Sequence, residues 1–528
     1  MTKILAPIVL FCYNRPSHTL QVLQALQKNP EAKNSELFIF CDGAKNENDL
    51  ECINDVHKII DNISGFKNVV VEKSENNKGL AKSIILGVSK IVEKFGRVIV
   101  LEDDLVISPY FLQFMNDGLD FYENDDRVIS IHGYIYPIKE KLPPTFFIKG
   151  ADCWGWATWK RGWDLFNENG QELLNQLEEK NLIEQFDFDG TYDYTKMLRE
   201  QIAGKNNSWA VRWYASAFLA DKLTLYPGES LVRNIGFDDS GSHCEKVDIF
   251  DVEFVKHPIK IKKIFVAQNR VVRQKISEFF KKKKKRLLKN FIKKQAFNPD
   301  LFGLLVNPFY FARRGLYKNI ADFSSNIKGD VLDVGCGSKP YQPLFNFENY
   351  VGLDYGKNNS NSNKDADFFY EGNHFPFADE QFDSVLCSEV LEHVFNPNEF
   401  LQEIKRVMKK DACAIFSVPF VWDEHEQPYD YARYSSFGLM HLFKENGFEI
   451  IASKKSAASI VVIFQLINAY IYKIIARNSK VKKWKRILIN LLCTPFNMFG
   501  IILEKLLPVN QDLYLDNIFL IRKIKNEK

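Results

Sequence analysis

The stretch Gly329 to Lys339, GDVLDVGCGSK, constrains this chain more than any other. Val331, Leu332 and Val334 are β-formers, Asp333 sits among them, and Gly335 and Gly337 let the backbone turn and approach a ligand closely. The pattern reads as strand, glycine-rich turn and helix, the opening of an α/β sheet whose ligand lies beyond the strands' carboxyl ends. A second apolar run, Tyr350 to Leu353, ends in Asp354, nineteen residues after Gly335, where a carboxylate can hold ribose hydroxyls. A lone Gly-x-Gly fits NAD as well as other nucleoside-bearing cofactors.

The amino-terminal half repeats the logic with different chemistry. Apolar runs Ile8 to Cys12, Leu37 to Phe40, Val69 to Val71 and Val98 to Leu101 alternate with helical patterns, including one over Leu80 to Lys94. Such alternation predicts a mostly parallel sheet. Arg15, Asp42, Lys78 and the triplet Glu102-Asp103-Asp104 all fall at predicted strand ends. Three adjacent carboxylates repel unless a cation sits with them. A divalent metal such as Mg²⁺ or Mn²⁺ bridging to a diphosphate fits, and so does a solvated acidic turn. Arg15 could hold phosphate or base and Asp42 a base or ribose group.

At 528 residues the chain is too long for one core. Lys281 to Lys294 holds nine Lys/Arg and no acid, so against a net charge of +3 the remainder stands at −6. The basic character is local, which argues against a nucleic-acid-binding protein throughout. Nine scattered cysteines without Cys-x-x-Cys spacing imply reduced thiols in a cytoplasmic protein. The apolar start, Ile4 to Cys12, contains Pro7 and runs into Tyr13-Asn14-Arg15-Pro16 with no small-residue cleavage site, which predicts a strand and not a signal peptide.

Two resemblances sharpen these readings. APIVLFCYNRP, the Asp42 loop, NNKGLAKSI and VLEDDLVISPYFL together resemble the glycosyltransferase-A fold, over residues 5 to 245. The Glu-Asp-Asp-Leu form is similar to the inverting N-acetylglucosaminyltransferase that starts complex N-glycans. The resemblance implies a nucleotide-sugar donor, Asp104 as the ligand of Mn²⁺ or Mg²⁺, Glu102 and Asp103 near sugar and ribose, and Arg15 and Asp42 on the nucleotide. An inverting transfer also needs a base for the acceptor proton. Where that enzyme carries an acidic pair before Trp, this chain has Ala210, Val211 and Arg212 before Trp213, so the base falls to Asp152 or Asp193, with Asp238 and Asp239 in reserve. Trp154-Gly155-Trp156 suits either sugar stacking or a core corner. Asn234 to His243 reads as a mobile lid from which His243 could reach metal or diphosphate.

Asp333-Val334-Gly335-Cys336-Gly337, His374-Phe375-Pro376-Phe377, Gln381-Phe382-Asp383-Ser384-Val385 and Ser388-Glu389-Val390-Leu391-Glu392-His393 succeed one another in an order that resembles class I S-adenosylmethionine-dependent methyltransferases of bacterial surface-polysaccharide type. By that resemblance Asp333, Gly335 and Gly337 line the methionine moiety, Asp354 binds ribose, Glu389 lies at the cofactor's edge and Glu371 near adenine. His425, in a His-Glu-x-Pro-x-Asp-x-x-Arg-Tyr pattern, is a candidate base and Arg433 an acceptor anchor. The absence of an Asn/Asp-Pro-Pro-Tyr tetrapeptide argues against nucleic-acid amino methylation.

The expectation is an α/β chain of two domains. Residues 1–262 form a glycosyltransferase-A-like sandwich, 263–306 a basic helical linker, and 307–528 a Rossmann-like methyltransferase domain. The two would add a sugar and a methyl group to a cell-surface glycan or its lipid-linked precursor. The alternatives are a methyltransferase with an inactive sugar-nucleotide-binding domain, or a nucleic-acid methyltransferase that uses the basic linker. Basic residues interleaved with Phe279, Leu287 and Phe291 fit a solvated linker or attachment to the anionic inner face of the cell membrane. Ser456 to Tyr472 and Ile487 to Leu503, the latter interrupted by Pro495, precede the expected last strand, Asn517 to Ile521, and read as interfacial or capping helices, not a transmembrane hairpin.

Overall fold

The structure, a computed structural model, describes residues 4–237, 248–356, 365–372, 374–476 and 481–524. Asp238, Asp239 and His243 lie outside the described residues. The chain divides into two compact units, Met1–Arg286 and Leu287–Lys528.

In the first unit the described strands are β1 (Ile8–Cys12), β2 (Glu36–Cys41), β3 (Asn68–Lys73), β4 (Arg97–Glu102), β5 (Leu105–Ile107), β6 (Val128–His132), β7 (Thr145–Lys149), β8 (Trp156–Trp159), β9 (Leu223–Pro227) and β10 (Val232–Asn234). Eight form one mixed sheet in the order β3-β2-β1-β4-β8-β6-β9-β7, and β5 pairs with β10. The half formed by β3-β2-β1-β4 is parallel. Alternation along these strands feeds two cores. Leu10, Ile39 and Ile99 face one side with the helix Pro16–Gln27, while Val9, Phe38 and Val100 face the other with Leu80–Phe95. Burial on both faces explains why β1 and β4 read as continuous apolar runs. Their carboxyl ends deliver Arg15, Asp42 and Glu102-Asp103-Asp104 to one edge.

The Trp-rich segment splits at Gly155, which takes a left-handed φ of +66°. Trp156 is buried, with ring centroids 5.7 Å from Trp163, 5.6 Å from Trp209 and 5.6 Å from Trp213. It belongs to the core and is closed to sugar stacking. Trp154 turns the other way, half-buried against Tyr134, Phe237 and Phe250.

The expected linker is a helix, Arg270–Phe297, and its first turns belong to the first unit. Val272, Ile276 and Phe280 are buried in a core with Phe188 and Tyr214. The division between units thus falls inside the expected linker, between Arg286 and Leu287.

The second unit holds β11 (Asp330–Val334), β12 (Asn349–Tyr355), β13 (Phe368–Tyr370), β14 (Phe382–Ser388), β15 (Met408–Pro419), β16 (Phe448–Ser456) and β17 (Asp516–Lys523). These form a sheet in the order β13-β12-β11-β14-β15-β17-β16, in which β17 runs antiparallel to both neighbours and the first five strands are parallel. After β11 the chain moves outward to β12 and β13, then returns to β14 on the other side. That reversal opens a crevice between the carboxyl ends of β11 and β14. The helix expected after the glycine turn is absent among the described residues. Lys339 has φ +51° and precedes Pro340, whose ring disfavours a helical predecessor, and only a 3-10 turn, Gln342–Leu344, follows.

Between β16 and β17 the chain inserts two packed helices, Val461–Ala476 and Lys483–Leu506. Pro495 lies inside the second, so the expected interruption does not occur. The longer helix is long and apolar enough, by length and composition, to cross a membrane. Its Ile489, Cys493 and Asn497 face inward, and buried Asn468 donates to Asn497 at 2.8 Å. Its other side exposes a stripe through Trp484, Ile487, Leu491, Met498, Ile502 and Leu506, with Leu491 70% and Leu506 72% exposed.

Trp213 is wholly buried among three aromatic partners. Trp213→Ala should destabilise the first unit by about 3–5 kcal/mol, read from the denaturant midpoint of its unfolding transition. A shift below about 1 kcal/mol would contradict a packed corner.

Candidate functional site

The crevice of the second unit opens into a cavity of about 920 Å³. Gly335 and Gly337 follow β11 with φ of +71° and +51°. A Cβ at Gly335 would lie 2.3 Å from Val390, so both conformation and space require glycine there. Both glycines, Asp354 at the end of β12, and Glu389 after β14 line the cavity, as does His425. Asp333 does not. It is buried behind the turn and accepts from the Tyr350 hydroxyl at 2.8 Å. Burial pushes its carboxyl up to about 7, a rise that Tyr350 and Lys339 only partly offset. Glu371 is exposed, while its neighbours Tyr370 and Gly372 line the cavity.

Glu389 sits at φ +56°, a costly conformation for a side-chain-bearing residue, held by its N–H to Ser417 O at 2.9 Å and by the Ser417 hydroxyl to its carboxylate at 2.8 Å. Burial raises its pKa. Two more buried acids stand nearby. Burial raises Glu392 and Asp516 well above the carboxylate range, with Glu389 adding repulsion to each. Arg313, from the helix Tyr310–Phe323, is the cationic counterweight that holds Glu389 and Asp516 down. The cavity wall is therefore acidic and desolvated, a setting that favours a cation.

His425 is set by its loop. Its Nδ1 lies 3.3 Å from Asp423 O and its backbone N–H donates to Asp430 at 2.9 Å. Burial lowers its pKa, which keeps the imidazole neutral near pH 7. Arg433 does not face an acceptor. Its guanidinium forks onto Asp430 at 2.6 and 2.7 Å and ties the loop together. Tyr472 and Lys473 of the helix Val461–Ala476 also line the cavity, and Lys473 pairs with Asp423 at 2.8 Å. The first inserted helix thus forms a wall of the site.

No local sequence pattern marks Arg313, Trp422, Lys473 or Asp516, which reach the cavity from separate elements. Leu391-Glu392-His393 was visible as a motif without a role.

In the first unit the acidic edge already has a cation. Arg15 bonds Asp103 at 2.5 Å and Asp104 at 3.2 Å. Burial raises Asp103 to about 6, opposed chiefly by Arg15, and burial with the two neighbouring acids raises Glu102 well above the usual range. Gly236 lies against Asp104, where a Cβ would come within 2.4 Å of its carboxylate. Asp42 has a backbone task. It accepts from the N–H groups of Gly43, Lys78 and Gly79 at 2.8 to 3.1 Å, closing one loop onto another, and the Lys78 side chain points to solvent. Asp152 lies 3.4 Å from the hydroxyls of Tyr136 and Tyr226 and 3.7 Å from His132. The Cys153 thiol feels Asp152, Glu102 and Asp104 together, so Asp152 shares the acidic edge. Asp193 is an exposed partner of Lys284 at 3.1 Å. In the place expected for an acid, Arg212 caps backbone oxygens of Ser208 and Glu168.

Residues 332–416, the strands and loops that build the cavity floor, match the family described as "Methyltransferase domain". The match is to a stretch within the second unit and not to the whole chain. Among curated proteins it is similar to two uncharacterised proteins of Methanocaldococcus jannaschii. MJ1123 is 26% identical over 24% of this chain and 69% of its own length, and MJ0638 is 34% identical over 23% of this chain and 54% of its own. Solved structures similar to the chain include an S-adenosylmethionine-dependent methyltransferase from Archaeoglobus fulgidus, at 15% identity over 42% of this chain and all of that one, with a TM-score of 0.27. Another is Haemonchus contortus phosphoethanolamine N-methyltransferase 2 in complex with S-adenosyl-L-methionine, at 14% identity, 44% and 59% coverage and a TM-score of 0.29. A third, the [4+2]-cyclase SpnF, gives 16% identity, 42% and 84% coverage and a TM-score of 0.27.

The raised Asp333 gives the second unit a pH signature. The folded state keeps a proton that the unfolded chain releases near pH 4, so this contribution to stability is complete below about pH 4 and lost as pH rises through 7. Asp333→Asn should match the wild type near pH 4 and exceed it at pH 8, the gap opening by up to about 1.4 kcal/mol per pH unit. Denaturant titrations at the two pH values check this. A gap that does not change with pH would contradict it.

Proposed function

We propose that the second unit transfers a methyl group from S-adenosylmethionine to a hydroxyl of a cell-surface glycan or its lipid-linked precursor. The reading rests on one observation: the switch-point cavity within the methyltransferase match is lined by Gly335, Gly337, Asp354 and Glu389. The glycines admit a nucleoside-bearing chain against the backbone, and Asp354 offers a carboxylate to ribose hydroxyls. The desolvated acids Glu389 and Asp516 suit a cationic sulfonium. Methyl transfer from sulfonium is an in-line displacement, so alignment within the cavity is the protein's main contribution. Asp354→Ala should weaken S-adenosylmethionine binding by about 1.5–3 kcal/mol, or about ten- to a hundredfold by calorimetry. No measurable binding by the wild type would overturn the reading.

The first unit, on this proposal, is a metal-dependent, inverting glycosyltransferase that uses a nucleotide-sugar. Glu102, Asp103 and Asp104 carry three formal negative charges against the single charge of Arg15, which leaves room for Mn²⁺ or Mg²⁺ with a diphosphate. Asp104, more exposed than Asp103, takes the metal, and Asp152, which acts on the same Cys153 thiol as Glu102 and Asp104, is the base. Asp104→Asn should abolish Mn²⁺-dependent release of sugar from a nucleotide-sugar; unchanged release would refute the assignment. Arg212 in the expected acidic position favours a second reading, in which this unit binds the donor without turning it over.

Both acceptor forms suit a membrane surface at the cytoplasmic side. The exposed apolar stripe of Lys483–Leu506 begins among Lys482, Lys483, Lys485 and Arg486, with Trp484 between them. Exposed Leu301 and Leu305 add to it, and Leu305 O accepts from Thr494 of that helix. Apolar side chains with cations and a Trp at one end match an anionic bilayer interface. Leu491→Glu with Met498→Glu should cut cosedimentation with phosphatidylserine vesicles severalfold and leave S-adenosylmethionine binding intact.

A further inference from the structure

We propose that Glu392, His393 and His425 form a divalent-metal site in the wall of the cofactor cavity. Their ligand atoms lie within 4.8 Å of one another, and both histidines line the cavity. Glu392 is completely buried, and neither of its carboxylate oxygens has a hydrogen-bond partner among the described residues. A carboxylate so placed needs a positive charge or a proton. The nearest guanidinium, Arg433, is already forked onto Asp430.

The histidines are oriented as metal ligands are. His393 Nδ1 lies 2.7 Å from Tyr429 O, and His425 Nδ1 lies 3.3 Å from Asp423 O. A carbonyl oxygen can only accept, so Nδ1 of His393 carries the hydrogen and its Nε2 presents a lone pair; at His425 an Arg433 N–H also lies 3.4 Å from Nδ1, and the same tautomer there is part of the proposal. Backbone carbonyls that fix the tautomer in this way are the usual outer partners of ligating histidines. His393 Nε2 already points at Glu392 Oε1, 3.7 Å away, and the two imidazoles meet edge to face at 4.8 Å between centroids. Metal bonds of about 2.1 Å set neighbouring ligand atoms about 3–3.5 Å apart, so small side-chain rotations close the set on a cation. The backbone is held for it, since the N–H of Tyr431 donates to Glu392 O at 2.8 Å and joins the His425 loop to the Glu392 turn.

Two imidazoles and one carboxylate select a transition-metal ion such as Zn²⁺, Mn²⁺ or Fe²⁺ over Ca²⁺ or Mg²⁺, and leave coordination positions open. Those positions face the cavity. The inference rests on the S-adenosylmethionine reading and names the acceptor class for it: an oxygen nucleophile, bound to the metal as hydroxyl. Metal binding lowers that hydroxyl's pKa and its proton passes to water. An oxygen lone pair then forms the bond to the methyl carbon while the C–S pair returns to sulfur, leaving the methyl ether and S-adenosylhomocysteine. His425 is in this account a ligand and not the base.

The test uses full-length Asp104→Asn protein, which removes the ligand proposed for the first unit, stripped with a chelator and titrated with Co²⁺. One equivalent should bind, with visible absorption and with two imidazoles in its X-ray absorption spectrum. Glu392→Gln, His393→Ala and His425→Ala should each weaken binding by more than about tenfold. Absence of stoichiometric uptake, fewer than two imidazoles, or affinity unchanged in all three variants would overturn the site; the spectrum decides even where a variant fails to fold. S-adenosylmethionine binding measured on the same preparation reports separately on the cofactor reading.

Discussion

Carboxylates withheld from water at the ends of parallel strands are the interaction on which both units turn. A strand buried on both faces must surface somewhere, and its carboxyl end is where polar chemistry can begin. In the first unit that end carries Glu102, Asp103 and Asp104 with one arginine among them. In the second it carries Asp354 and Glu389, backed by Asp333 and flanked by Glu392 and Asp516. Arg15 in the first unit and Arg313 in the second offset these acids only in part. The remaining imbalance costs stability.

The arrangement follows from order along the chain more than from any single residue. Because β12 and β13 lie to one side of β11 and β14 to the other, the loops after β11 and β14 diverge and a crevice is left between them. Glycine at 335 and 337 keeps that crevice open to a ligand, and the strained backbone at Glu389 aims a carboxylate across it. The loop around His425 is shaped by Asp430 and Arg433, whose pairing holds Asp430 down to about 2, so the loop stays knit across the physiological pH range.

Much of the fold was legible in the sequence. The strands named from apolar runs occur within a few residues of their expected positions, because burial on both faces writes an uninterrupted pattern. Side-chain duties were less so. Asp42 and Arg433 sit in motifs that suggest ligands, yet each closes a loop, and no local pattern distinguishes a carboxylate facing a nucleotide from one facing three backbone N–H groups. Trp154 and Trp156 look equivalent in sequence, and only the left-handed turn at Gly155 sends one to the core and the other to a half-buried face. The glycine turn suggested a helix, and Pro340 prevented it. Arg313, Lys473 and Asp516 converge from helices and strands far apart in the chain, a proximity that only the tertiary structure creates.

The two helices between β16 and β17 hang from adjacent antiparallel strands, and the buried Asn468–Asn497 pair locks their register. Sliding one against the other would leave the buried Asn468 amide N–H and the Asn497 amide oxygen without each other, while the Asn497 N–H groups stay bonded to Leu304 O and Asn307 O. One side of this helix pair carries Tyr472 and Lys473 over the cavity, and the other carries the exposed stripe. The helix that walls the cavity and the helix that carries the stripe are thus joined through one buried amide contact.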